Sequence, residues 1–191
     1  MAIECVNIYK SFEQLQVFSS FNMQINNGET IFLTGASGCG KTTLLRMLMG
    51  LESPDRGKIL GTDGKRLSAV FQEDRLISHL NPVDNIYIAC NRQWTREAIS
   101  KDLEEILPRE CFLRPVHEFS GGMKRRTAIA RAMLAPSQIL FMDEPMKGLD
   151  EDNKKRTLQY VIKRLKGRTL IIATHEIQTF SKLKGREIHL G

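Results

Sequence analysis

The hydrophobic pattern changes period along the chain. Ile3 to Ile8, Val17 to Ile25 and Glu29 to Thr34 are short runs rich in β-branched and aromatic residues, separated by turn formers such as Asn26-Asn27-Gly28. They predict the strands of a small sheet. Thr42 to Leu51 predicts a helix closed by Gly50 and the breaker-rich Glu52-Ser53-Pro54-Asp55, after which Gly57 to Phe71 returns to short extended pieces around Gly61 and Gly64. The C-terminal part alternates: helix over Ser120 to Leu134, apolar strand over Gln138 to Met142, helix over Asp152 to Lys166, apolar strand over Thr169 to Thr174. Uninterrupted apolar strands alternating with helices predict a buried, mostly parallel sheet with crossover helices, an α/β fold.

Between these regions the character shifts. Glu73 to Glu118 carries Asn81-Pro82, a Thr95-capped helical stretch through Leu107, then Pro108 and Pro115. It predicts an inserted helical subdomain at 73–118, with 1–72 and 119–191 forming the core and a small N-terminal antiparallel β subdomain. In Asp152 to Lys166, Leu158, Val161, Ile162 and Leu165 recur at helical spacing, which leaves Lys154, Lys155, Arg156, Lys163, Arg164 and Lys166 to a solvated face.

Length and composition narrow the field. At 191 residues the chain suits one domain. Apolar runs such as Leu170-Ile171-Ile172-Ala173 are too short to cross a bilayer, and no basic segment followed by an apolar one opens the chain, so it reads as cytosolic. Cys5, Cys39, Cys90 and Cys111 lack paired spacing and read as reduced thiols. The net charge of +6 fits solvated and phosphate-facing lysines better than a nucleic-acid groove, because no nucleic-acid motif or aromatic interleaving accompanies it.

Gly35-Ala36-Ser37-Gly38-Cys39-Gly40-Lys41-Thr42 matches GxxxxGK[ST], between the strand-like Thr30 to Thr34 and a helix that continues through Thr43. Its glycines let backbone N–H groups wrap a β-phosphate, Lys41 neutralises β and γ oxygens, and Thr42 ligates Mg²⁺. Cys39 reads as a small filler in the loop. Ile139 to Met142 ends in Asp143 and Glu144, which suit a magnesium ligand and a general base acting on water. Gln72 and His175 also follow apolar strands, where an amide could reach metal and water and an imidazole a γ-phosphate. Asp150 can cap the next helix. Phe119-Ser120-Gly121-Gly122-Met123 is a second anion-binding helix start, with a Ser cap and two glycines. Either the chain holds two anions or two copies share each nucleotide.

Taken in order, these residues resemble the ATP-binding subunits of ABC transporters across essentially the whole chain. The matches are Walker A at 35–42, the Q-loop at Gln72, the signature at Phe119 to Met123, Walker B ending in Asp143 with Glu144 after it, the D-loop near Asp150 and the switch histidine at His175. The resemblance implies a P-loop NTPase core of RecA-like type and Mg²⁺-dependent ATP hydrolysis, with Glu144, His175 and Gln72 catalytic and Thr42, Gln72 and Asp143 at the metal. It implies nucleotide contacts from Gly35, Ser37, Gly38, Cys39, Gly40, Lys41, Thr42, Thr43 and Asp150, with Phe12 stacking on adenine. Ser120 and Gly122 would grip the γ-phosphate of a second cassette, which makes a homodimer. Permease subunits would dock near Leu76, Ile77 and Leu80, a substrate-binding protein would complete an importer, and the chain would lie on the inner face of the cell membrane without a nucleic-acid partner.

The segment Phe71 to Leu76 is similar to cassettes of nitrate, sulfonate, taurine and thiamine-precursor importers. Phe119, Met123 and Lys147-Gly148 depart from the usual Leu, Gln and Ser-Ala. A chromosome-structure ATPase of the same superfamily would need a long coiled coil between Thr43 and Ser120, for which the interval is too short. A small-molecule P-loop kinase would leave the Ser120 helix and Glu144 without a role.

Overall fold

The computed structural model describes residues 3–13, 15–91 and 93–191. Among the described residues, eight strands form two sheets. The small antiparallel sheet has the order β2 (Leu15–Ile25), β1 (Ile3–Phe12), β4 (Arg56–Leu60). The large sheet runs β5 (Leu67–Val70), β6 (Ile139–Asp143), β7 (Thr169–Ala173), β3 (Thr30–Thr34), β8 (Arg186–His189), with every pairing parallel. The described residues also form five α-helices, α1 (Lys41–Leu48), α2 (Pro82–Ala89), α3 (Arg96–Leu103), α4 (Gly121–Leu134) and α5 (Glu151–Leu165), and three short 3-10 turns.

The period of two in the central strands divides the core. Leu140 and Met142 of β6, Leu170 and Ile172 of β7 and Phe32 of β3 face one side, with Ile86, Ile99, Leu103 and Tyr160 from the helices. Ile139, Phe141, Ile171, Ala173, Ile31 and Leu33 face the other, where Leu44 and Leu48 of α1 meet Ile3, Ile8 and Ile25 of the antiparallel sheet. Each such side chain, fully removed from water, stabilises the fold by roughly 1.5–3 kcal/mol. Both faces being covered is what makes these strands uninterruptedly apolar.

Several boundaries differ from expectation. The helix after the phosphate loop stops at Leu48, because Gly50 turns at φ +69° and leaves Leu51 half exposed. Helix α3 ends at Leu103; Glu104 to Ile106 are turn, since Pro108 disfavours helix in the residue before it and the chain bends to bury Ile106 and Leu107. Strand β8 has only Ile188 as an apolar signal and escapes a pattern search. The solvated face expected of α5 holds at Lys155, Arg156, Lys163 and Lys166, which are exposed, and needs correction at Lys154 and Arg164. Arg164 donates to Asp102 and Glu105 from α3 and the turn after it, and Lys154 binds Glu151 and Glu176, so these cations are paired and largely covered. The four cysteines are free thiols.

Candidate active site

Parallel strands bring their carboxyl ends to one edge of the sheet, where ligands of open α/β folds bind. Here β3 delivers the loop from Gly35, β5 delivers Gln72, β6 delivers Asp143 and Glu144, and β7 delivers Thr174 and His175. Register aligns them: Ala173 pairs with both Leu33 and Asp143.

The loop is closely fitted. Gly35, Gly38 and Gly40 have φ of +137°, +83° and +101°, and a Cβ on Gly35 would stand 2.2 Å from the Leu190 carbonyl oxygen. Gly40 precedes α1 without any side-chain cap, and no acid occupies the first turn, so the first N–H groups of the helix remain open to an anion. The buried Lys41 ammonium donates to the carbonyls of Gly35 and Ala36 at 2.8 and 2.9 Å. It sits at the centre of the loop, with Cys39 Sγ at 3.7 Å, the filler position expected for that residue.

Thr42 Oγ1 donates to Asp143 Oδ2 at 2.7 Å, joining the start of α1 to the end of β6. Asp143 is buried. A hydroxyl and a carboxylate this close are hard oxygen donors of the kind Mg²⁺ selects, with room for water and phosphate to complete the shell. Ser37, Gly38, Gly40, Lys41, Thr42, Thr43, Gln72, Asp143, Glu144 and His175 line one cavity of about 180 Å³.

Glu144 takes φ +48°, uncommon for a side-chain-bearing residue, and its N–H donates to the Ala173 carbonyl at 2.9 Å. Its Oε1 is buried without a hydrogen bond and lies 3.4 Å from His175 Nε2. Burial pushes the Glu144 carboxyl above its ordinary range, assisted by Asp143, while His175 and Lys41 pull the other way. A carboxylate held short of full solvation and aimed into a phosphate cavity is a competent general base.

Other expected residues are placed differently. Asp150 caps α5: its Oδ1 accepts from Asn153 N at 2.8 Å and its Oδ2 from Asn153 Nδ2 at 2.7 Å, which together hold its carboxyl below the usual range. It lines neither this cavity nor the groove that reaches Gly121. Phe12 is 44% exposed at the end of β1, with the Lys10 ammonium 4.9 Å from its ring centroid. It is no core residue, and the cavity of about 770 Å³ between β2 and the phosphate loop is lined instead by Leu15, Val17 and Phe18, which the sequence did not single out.

Ser120 caps α4, its Oγ accepting from Met123 N at 3.3 Å. Gly122 packs against the D-loop, where an added Cβ would stand 3.3 Å from Leu149 Cδ2. Gly121 is exposed, lacks a positive φ, and an added Cβ would meet nothing within 4 Å. Its own chain gives it no reason to be glycine. A groove of about 660 Å³ runs from Thr42 and Asp143 past Gln72 to Gly121, Arg125 and Lys147. The Q-loop carbonyls of Phe71 and Gln72 accept from the Arg125 guanidinium, a contact that no motif announces.

A model of the ABC transporter family matches residues 18–147. The chain belongs to the ABC transporter family. It is 35% identical over 201 residues to the spermidine/putrescine import ATP-binding protein PotA of Marinobacter nauticus, covering 96% of this chain and 54% of that protein. The chain therefore spans about half the length of the curated relatives it matches. Their cargo differs from the nitrate, sulfonate, taurine and thiamine-precursor class suggested by Phe71 to Leu76. Among solved structures, the dimeric cassette MJ0796 superposes with a TM-score of 0.85 at 24% identity, covering 98% of this chain and 94% of that one. The same cassette in a post-hydrolysis state bound to ADP and Pi gives 0.85 at 23% identity, with the same coverage. These likenesses show the ABC cassette fold. Of the departures from the ABC pattern, Phe119 is buried in the core, Met123 packs partly against it, and Lys147 is exposed at the groove.

Proposed function

We propose that this chain is the ATP-binding and ATP-hydrolysing subunit of an importer-type ABC transporter. The observation that carries the proposal is the Thr42–Asp143 contact, which places the phosphate loop, the strand-end acid and the unpaired Glu144 oxygen around one cavity. In this reading Lys41 exchanges the carbonyls of Gly35 and Ala36 for β and γ oxygens of ATP, and the N–H groups between Ser37 and Thr43 take the remaining phosphate charge. Mg²⁺, held by Thr42 and Asp143 with Gln72 nearby, would neutralise phosphate charge. Glu144 accepts a proton from the attacking water, His175 keeps that carboxylate aimed into the cavity, and the Gln72 amide orients the water. Catalysis is positioning and electrostatics on a preformed edge.

Ser120 and Gly121 are exposed at the start of α4. That supports two copies completing each other's sites, with Ser120 and Gly122 on the γ-phosphate held by the partner. Phe12 and Asp150 contribute at the adenine and the dimer contact in the same reading. No helix among the described residues is long and apolar enough to cross a membrane, so permease subunits would supply the passage and recruit the chain to the inner face of the membrane. Leu76, Ile77 and Leu80, beside Gln72, are the proposed docking residues, and 73–118 the proposed helical subdomain. A substrate-binding protein would complete the importer. The test is hydrolysis by purified protein: Glu144→Gln should bind ATP and release no phosphate, and wild-type turnover in that variant would remove Glu144 as the base.

A further inference from the structure

The basic run Lys124-Arg125-Arg126 takes no part in the function proposed above, yet Arg125 is nearly as buried as a core residue, with 7% of its side chain exposed. Its guanidinium reaches across to the loop after β5. One nitrogen donates to the Phe71 carbonyl at 2.6 Å and lies 3.2 Å from Asp74 Oδ1, and the other terminal nitrogen donates to the Gln72 carbonyl. Six residues along α4, Arg131 donates to the carbonyls of Arg75 and Asp74 at 2.8 and 3.0 Å. Phe71 to Arg75 belong to no helix or strand. Four of their five carbonyls, those of Phe71, Gln72, Asp74 and Arg75, accept from these two side chains.

We infer that Arg125 is the positioning residue for Gln72, fixing the amide at the cavity of Lys41, Asp143 and Glu144 by holding the main chain on either side of it. The inference rests on the proposed ATPase reading and adds to it a residue outside the motifs. The chemistry is specific to arginine: a planar fork can serve two successive carbonyls and a carboxylate together, which a lysine ammonium cannot do with the same geometry. Helix α4 starts at Ser120-Gly121-Gly122, within two turns of Arg125, so one helix joins that start to the Gln72 main chain. The Gln72 side chain is not itself touched by Arg125. The arginine acts through the backbone.

The test is a double-mutant cycle on the purified chain, with Arg125→Lys, Gln72→Ala, the pair, and wild type measured for kcat, the KM for ATP and thermal unfolding. Arg125→Lys should lower kcat by about ten- to a hundred-fold, the cost of misplacing a reacting group by about 1 Å, and leave KM within about twofold. In the Gln72→Ala background the same change should have almost no further effect on kcat, since a group that acts only through Gln72 has nothing left to position. A full additional loss in that background, or an unchanged kcat in Arg125→Lys, overturns the inference. If Arg125→Lys fails to fold, Arg131→Lys is read in the same cycle and must show the same dependence on Gln72. Absence of hydrolysis in the wild-type chain would instead sink the function proposed above, a failure recognisable without any Arg125 variant.

Discussion

The Thr42 hydroxyl and the Asp143 carboxylate meet at 2.7 Å although 101 residues separate them in the chain. Thr42 lies in the first turn of α1 and Asp143 closes β6, so one hydrogen bond holds the phosphate loop against the acid that ends the buried strand. Thr42→Ala should leave a buried carboxylate without its partner, destabilising the fold by about 1–3 kcal/mol and abolishing Mg²⁺-dependent hydrolysis. Thr42→Ser keeps the hydroxyl and should restore both. Urea unfolding and phosphate release with and without Mg²⁺ check the pair.

Glu144 gives a pH-dependent prediction with a definite sign. Its folded pKa is raised above the ordinary carboxylate value, so its contribution to stability is fully present below about pH 4.5 and is lost as pH rises through the raised value. At neutral pH the ionised, partly unsolvated carboxylate is a cost. Glu144→Gln should therefore unfold at a higher temperature than wild type at pH 8, and this advantage should vanish near pH 4. Hydrolysis in the wild type should rise with pH over the range in which Glu144 ionises.

Ser120→Arg tests the shared site. A bulky cation at the exposed start of α4 should leave ATP binding at the chain's own Lys41 and Thr42 unchanged and abolish hydrolysis. Equal loss of binding and hydrolysis would place Ser120 in its own chain's site and end the two-copy reading. Equilibrium titration with a fluorescent ATP analogue, beside a phosphate assay, separates the outcomes.

Arg164 predicts a stability effect remote from catalysis. Asp102 accepts from Arg164 and from the buried Tyr160 hydroxyl, with both ends of the Arg164–Asp102 pair 10% exposed. Arg164→Ala should cost roughly 3 kcal/mol by leaving the buried Asp102 carboxylate with the Tyr160 hydroxyl but no cation, measured by urea denaturation, with the KM for ATP unchanged. Glu105, held down to about 2 mainly by its hydrogen bond to Arg164, stabilises the fold above its unfolded pKa. That contribution fades from about pH 4.5 down through pH 2 and should be reduced in Arg164→Ala, where only Lys163 still pairs with Glu105.

The parts of the fold legible in the sequence were those with a period or a fixed spacing. β6 and β7 show as unbroken apolar runs because both their faces are covered, and Gly35 to Thr42 shows because its glycines stand where the backbone must turn through positive φ. Strand β8 was hidden: at a sheet edge with exposed neighbours, it needs only one apolar residue. Two charges of α5, Lys154 and Arg164, misled for a different reason. Helical spacing separates apolar from polar faces, and it is silent on whether a polar face meets water or the acids of another helix. Arg125 was hidden likewise, since its hydrogen-bond acceptors are the carbonyls of Phe71 and Gln72, which carry no mark in a sequence.

The order of the large sheet differs from the order of the chain. The segment that leaves β5 at Val70 returns at Ile139 to the strand directly beside it. Everything between departs from and rejoins one edge of the sheet without crossing the strands that carry Lys41 and His175. A graft or an insertion in the turns around Leu113, 91% exposed and far along that excursion, would thus lengthen the molecule without disturbing the register of β6, β7 and β3. The chain offers an engineer a place to add a module while the strand-end chemistry stays where it is.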